Sequence, residues 1–176
     1  MTKKILTFGA SSSKNSINKQ LATYTANQFK NVSVEILDLN DYEMPIFSID
    51  KEKENGIPQL AHDFYAKLGS VDLIIISFAE HNGAYSTAFK NIFDWASRIN
   101  GKTFQEKPML LLATSPGARG GSSVLEIAKN RFPFQGGIVK GSFSLPSFND
   151  NFDSEKGITN KELKNQLLEI VNSIEL

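Results

Sequence analysis

The sequence predicts a three-layer, doubly wound α/β fold with a five-stranded parallel sheet in the order 2-1-3-4-5. Three observations carry that expectation. Two short runs, Asp72 to Phe78 (DLIIISF) and Met109 to Ala113 (MLLLA), are apolar on both faces, as strands covered by helices on each side must be. Between such runs lie segments with apolar residues every three or four positions, the alternation of strand and helix that builds a parallel sheet through right-handed crossovers. With 176 residues, 40% of them hydrophobic, the chain can form one core that buries roughly 70% of its unfolded surface. A single domain over residues 1–176 is expected.

The elements follow in order. Ile5, Leu6 and Phe8 form a first strand ending at Gly9, and Leu21, Thr25 and Phe29 mark a helix by their four-residue spacing. Val32 to Leu39 (VSVEILDL) is a second strand, with Asp38 as an acid near its end. Asn40 to Gly56 holds Pro45, charges and little apolar periodicity, so it is expected as a surface connection. Leu60, Phe64 and Leu68 make a helix closed by Gly69, with His62 off its apolar stripe and solvated. After the third strand, Ala88, Ile92, Trp95 and Ile99 define a helix that starts near Tyr85 to Thr87 and stops by Asn100-Gly101. The fourth strand is followed by a helix from about Ser122 to Arg131, then a fifth strand around Ile138 to Phe143. The last helix runs from Thr159, with Glu162 completing a capping box, to Ile174.

Composition excludes several kinds of chemistry. Nineteen basic and nineteen acidic residues leave a formal net charge of zero, so nothing favours nucleic acid or an anionic membrane surface. The chain has no cysteine, which removes thiolate nucleophiles, disulfides and thiol-rich metal sites. Its two histidines, His62 and His81, are far apart in sequence and give no metal centre. The opening MTKKILTFGASSS has too short an apolar run for a signal or a membrane span, and a cytoplasmic protein is expected.

In this fold a ligand binds beyond the carboxyl ends of the strands, where the strand order reverses. Three unusual loops converge there. The first, Ala10 to Asn18, is rich in hydroxyls and amides and leads into a helix whose free N–H groups and positive dipole end favour an anion. Neither the P-loop signature nor the glycines of a dinucleotide fingerprint are present, so a terminal phosphate fits better than ATP or a pyrophosphate. An ordinary polar loop with Ser16 or Asn15 as the helix cap is the simpler alternative. The second loop, Ala79 to Tyr85, combines Glu80, His81 and Asn82 with Gly83. The third, Ser115 to Gly121, carries Gly117, Gly120 and Gly121. Glycines in these loops suit positive φ and close approach to a flat ligand edge, so a ligand with a phosphate and a planar ring fits all three.

The segments GASSSKNSIN, FAEHNGAYSTAFKNIFDW and SPGARGG resemble the three flavin-contacting loops of the NAD(P)H-dependent FMN reductases. This flavodoxin-like family includes quinone, chromate and azo-dye reductases, and the resemblance runs from Lys4 to about Phe143. It implies FMN held without covalent attachment, NAD(P)H as co-substrate and a small-molecule electron acceptor, in a homodimer or homotetramer. Phosphate contacts fall on Ser11, Ser13, Ser16, Ile17 and Asn18. The ribityl chain and ring edge fall on Glu80, His81, Asn82 and Gly83, and further ring contacts on Ser115, Gly117, Arg119 and Gly120. Three positions depart from the family pattern: Lys14 is the nearest cation where the first loop usually has Arg, Ala79 replaces Pro, and His81 stands where Tyr or Phe is commoner.

The flavin carries the chemistry in such enzymes, accepting a hydride at N5, and no side-chain nucleophile or metal is required. His81 reads either as a flavin contact or as a loop histidine bonded to backbone. Arg119 reads as a cation for nicotinamide phosphates or reduced flavin, or as a solvated arginine. Trp95 belongs to the core or a subunit interface. The resemblance puts Lys90 and Asp94 near the flavin or the interface, and Tyr85 over the ring of a partner subunit. The main alternative function is a flavodoxin-type electron carrier, against which the balanced charge speaks. A flavin-free nucleotide or phosphosugar protein, and a structural role with a decayed site, are the others.

Overall fold

The computed structural model describes residues 2–176. Strand β1 (Lys3–Ala10) leads to helix α1 (Ile17–Ala26), β2 (Val32–Ile36), a 3-10 turn at Leu39–Tyr42 and helices α2 (Ile49–Asn55) and α3 (Gln59–Gly69). Strand β3 (Leu73–Phe78) is followed by a small hairpin of β4 (Glu80–His81) and β5 (Ala84–Tyr85), then by α4 (Thr87–Ile99) and β6 (Lys107–Thr114). Helix α5 (Ser122–Arg131), a 3-10 turn at Phe132–Gln135 and β7 (Gly137–Leu145) come next. The single turn α6 (Phe148–Asn151), a hairpin of β8 (Phe152–Asp153) and β9 (Gly157–Ile158), and α7 (Lys161–Ser173) close the chain.

The main sheet has the order β2-β1-β3-β6-β7, all parallel, which is the order the sequence predicts. Every residue of β3 is buried, because successive side chains enter opposite layers. Ile74, Ile76 and Phe78 join Leu6, Phe8, Phe64, Phe89 and Trp95 in one layer. Leu73 and Ile75 join Ile5, Leu21, Leu110, Leu112, Leu167 and Val171 in the other. Each such aliphatic or aromatic side chain stabilises the fold by roughly 1.5–3 kcal/mol through burial. Ala10 pairs with Phe78, and Phe78 with Ala113, so β1, β3 and β6 end side by side. The three loops therefore leave the sheet from one edge, at the point between β1 and β3 where the order reverses.

The structure refines the sequence expectation in four places. The stretch read as a surface connection contains the 3-10 turn, capped by Asp38, and α2, capped by Ser48; α2 buries no residue, so it has no apolar period to read. Its predecessors Leu39, Tyr42 and Met44 are buried. The fifth strand, β7, is longer than expected, and its pairing with β6 shifts register between Met109 and Leu110, where Lys140 of β7 is left without a partner. The last helix is capped by Asn160, whose side chain accepts from the N–H groups of Glu162 and Leu163, and the expected Thr159 box does not form. Asparagine is among the best cap residues and sits one residue closer to the helix.

Candidate functional site

The first loop delivers donors to one place. Ser16 caps α1, accepting from Lys19 N–H at 3.1 Å, while its carbonyl takes Gln20 N–H. The N–H groups of Ile17 and Asn18 then have no intramolecular acceptor among the described residues, and the first turn of α1 holds no acidic residue. Ser11 Oγ accepts from Ser13 N–H at 3.1 Å. A hydroxyl that accepts a bond keeps its own proton to donate, so these serines and two backbone N–H groups suit an anion at the positive end of the helix.

Asn18 is 2% exposed, and its side chain is engaged inside the protein. Nδ2 donates to the Thr114 carbonyl at 3.1 Å, and Oδ1 accepts from Thr114 N–H at 3.1 Å and from Ser77 Oγ at 2.7 Å. The amide thus pairs with a strand end as a neighbouring peptide would, tying α1 to β3 and β6. What Asn18 can offer a ligand is its backbone N–H.

The second loop is a tight hairpin. Asn82 and Gly83 lie at φ 52° and 78°, the two consecutive positive angles of a type I′ turn, for which Asn-Gly is the preferred pair. His81, Asn82 and Gly83 are exposed. Ser86 fixes the base of this loop: it caps α4 by accepting from Phe89 N–H and donates to the Ala10 carbonyl at 2.8 Å. Glu80 Oε2 accepts from Val124 N–H at 3.0 Å, in the first turn of α5.

The third loop is braced from behind by the segment after β7. The Gly117 carbonyl accepts from Gly120 and Ser147 N–H, and the Ser115 carbonyl from Phe148 N–H. Gly120, at φ +57°, is buried against β7, where an added Cβ would sit 2.5 Å from Ser144 Oγ and 2.9 Å from Leu145 carbonyl carbon. Its glycine is thus required by this close approach of two backbones, not by a ligand edge. Arg119 is exposed, and its guanidinium donates to Ser123 Oγ at 2.8 Å.

Ser11, Ser13, Ser16, Ile17 and Asn18 border one cavity of about 240 Å³ together with Glu80, His81 and Ser115. Asn82, Gly83, Gly117, Arg119 and Gly120 lie outside its lining. Asn15, Ala79, Thr114 and Pro116 complete it; of these, only Asn15 reads from sequence as a ligand contact, as one of the neutral donors of the first loop. Thr114 carries no signal, because it reads only as the first residue of the turn after the fourth strand, where a lone threonine is ordinary. The cavity is slightly smaller than the roughly 300 Å³ at which small-molecule pockets begin, a size that suits a phosphate group. A second cleft of about 550 Å³ shares Asn15 and Ser16 and runs between α1 and the β8–β9 hairpin. The convergent N–H donors are in the smaller cavity, since the outer face of α1 offers side chains only.

The structure also gives the surroundings of four further residues singled out from sequence. The Tyr85 ring packs within the fold on Phe89, Phe78 and Phe132 at centroid distances of 5.3, 5.6 and 6.2 Å. Burial pushes its hydroxyl pKa upward, against a smaller opposite effect of Arg131. Trp95 is core, 1% exposed, donating to the Pro45 carbonyl at 2.7 Å. Lys90 and Asp94 pair with each other along α4, at 2.7 and 2.8 Å.

The family model for NADPH-dependent FMN reductases matches residues 3–150, a span that contains all three loops. The chain belongs to this family. Among its relatives, an uncharacterised Mycoplasma pneumoniae protein is 32% identical over 164 residues, covering 90% of this chain and 96% of that protein. An NADPH:quinone oxidoreductase of Arabidopsis thaliana is 26% identical over 147 residues, with 82% and 74% covered. Among solved structures, the Paracoccus denitrificans flavoenzyme FerB, an NAD(P)H:(acceptor) oxidoreductase, superposes with a TM-score of 0.77 at 21% identity, over 97% of this chain and 94% of that one. An azoreductase of Bacillus anthracis gives 0.69 at 15% identity, over 98% and 100%. These two share the fold. Family membership makes this chain a flavin oxidoreductase, with FMN as cofactor and NAD(P)H as electron donor. No helix among the described residues is long and apolar enough to cross a membrane.

Proposed function

We propose that this FMN reductase passes electrons from NAD(P)H to a small acceptor such as a quinone, an azo compound, free flavin or an oxidising metal ion, by a ping-pong scheme. The observation that carries the proposal is the convergence of the free Ile17 and Asn18 N–H groups with the Ser11, Ser13 and Ser16 hydroxyls in one cavity at the reversal of strand order. Bound FMN supplies hydride acceptance at N5 and release of electrons singly or in pairs.

The residues divide the remaining work. Ser11, Ser13, Ser16, Ile17 and Asn18 hold the phosphate, the last two through backbone N–H. Their donors are neutral and fixed by the α1 cap, so they bind a dianion without a metal and without a lid. Glu80, His81, Asn82 and Gly83 border the ribityl chain and ring edge. Ser115, Gly117 and Arg119 form the opposite border, with Gly120 setting their backbone from behind. His81, Asn82, Gly117 and Arg119 are all exposed, and the hairpin turn has open space beyond Gly83. One ring face is thereby left to solvent, where nicotinamide can stack and leave before the acceptor takes the same place.

A shared face has a kinetic consequence. Initial rates with NADPH varied at several fixed quinone concentrations should give parallel double-reciprocal lines; intersecting lines would mean that both substrates bind together. The electron-carrier alternative predicts flavin that dithionite bleaches and NAD(P)H does not. In this proposal residues 1–176 act as one FMN-binding unit, in the cytoplasm, and assemble as a homodimer or homotetramer with neither nucleic acid nor membrane as partner.

A further inference from the structure

Helix α5 begins without a cap of its own. Gly121, at the cap position, has no side chain, and no acidic residue lies in the first turn. The cap comes from Glu80, 44 residues earlier in the chain, whose Oε2 takes the Val124 N–H at 3.0 Å. Val124 is the third helical residue, whose N–H an N-cap side chain ordinarily accepts, and a carboxylate there also meets the positive end of the helix dipole. The same turn receives the third loop. Arg119 donates to Ser123 Oγ at 2.8 Å, and the Arg119 carbonyl accepts from Ser122 N–H at 3.0 Å. The hairpin and the glycine loop therefore meet on one helical turn, each through a side chain that the sequence suggests for the ligand.

We infer that Glu80 is a positioning residue: its carboxylate anchors the hairpin to the first turn of α5 and so fixes the spacing between the two loops that border the FMN ring. This rests on the FMN site proposed above. A residue that served helix stability alone would look the same in the folded structure, and the two roles separate in solution. Aspartate at position 122 would restore negative charge at the helix terminus without linking it to the hairpin. Glutamine at position 80 would keep an acceptor oxygen for Val124 N–H.

The experiment measures FMN dissociation constants by quenching of flavin fluorescence, and melting temperatures of the FMN-free proteins, for the wild type, Glu80→Gln, Glu80→Ala and Glu80→Ala/Ser122→Asp. Glu80→Ala should bind FMN roughly tenfold more weakly, the change expected for loss of one charged cap contact, and should melt lower. The added Ser122→Asp should recover the melting temperature and leave the affinity low. Glu80→Gln should retain most of the affinity. Recovery of both properties in the double variant would overturn the inference in favour of a purely local cap. Equal loss in Glu80→Gln and Glu80→Ala would overturn it in favour of a direct effect of the charge. If the wild type binds FMN and Glu80→Ala binds it equally well, Glu80's role alone fails; if the wild type binds none, the site itself was misread.

Discussion

Asn18 shows how much a single residue can do at the mouth of this sheet. Its amide satisfies both backbone groups of Thr114 and the hydroxyl of Ser77, all in a region closed to solvent. Asn18→Ala would leave three buried polar groups unpaired, each costing about 1–3 kcal/mol, with partial relief from relaxation. A loss of roughly 3 kcal/mol, or about 6–12 °C in melting temperature for a chain of this size, is expected by thermal denaturation. Asn18→Asp should do no better, because a carboxylate would face the Thr114 carbonyl where the amide donates. Tyr85 is the opposite case. Its hydroxyl is buried with no hydrogen-bond partner, so Tyr85→Phe removes an unpaired polar group while keeping the ring among Phe78, Phe89 and Phe132. Equal or slightly higher thermal stability, by about 1 kcal/mol at most, should result; a marked loss would mean that the hydroxyl has a partner in solution.

At the level of elements, the site is a set of helix starts held at fixed heights above the sheet. Helix α1 is placed by Asn18 on one side and by Lys19 on the other, where Nζ meets Asp38 Oδ2 at 2.5 Å. That ammonium, and then the Asn40 N–H, hold the Asp38 carboxyl below its ordinary pKa. A folded-state pKa below the unfolded one means stability that is complete above the unfolded value, about 3.9, and lost as pH falls through the lower folded value. The pair is about one-third exposed, so its contribution is at most about 1 kcal/mol. Asp38→Asn should therefore be less stable than the wild type by about that amount at pH 7, and the two urea-denaturation midpoints should converge as pH drops below about 4. A gap that persists unchanged into acid would show that the charge is not involved.

Across the whole molecule, what the sequence discloses depends on whether side chains or backbone make the contact. The sheet order was legible because β3 and β6 are apolar on both faces, and only a sheet covered on each side accepts such strands. The first loop was legible through its hydroxyls and its place between strand and helix. Helix α2 was not, since none of its residues is buried. Nor was the brace behind the third loop, made by N–H groups of Ser147 and Phe148 on carbonyls of Gly117 and Ser115, because backbone bonds leave no mark in residue type. Glu80 and Asn18 stand between these cases. Their motif positions mark them as part of the site, yet their side chains join its loops to one another.

The measurement that bears most directly on the whole account is a visible absorption titration of the purified protein with FMN, followed by anaerobic addition of NADPH or NADH. Saturable binding of one FMN per chain, with oxidised-flavin bands that one of the nicotinamide donors bleaches, is the predicted result. A protein that neither retains nor binds FMN would contradict the assignment of the cavity between α1, the hairpin and the third loop as the flavin phosphate site.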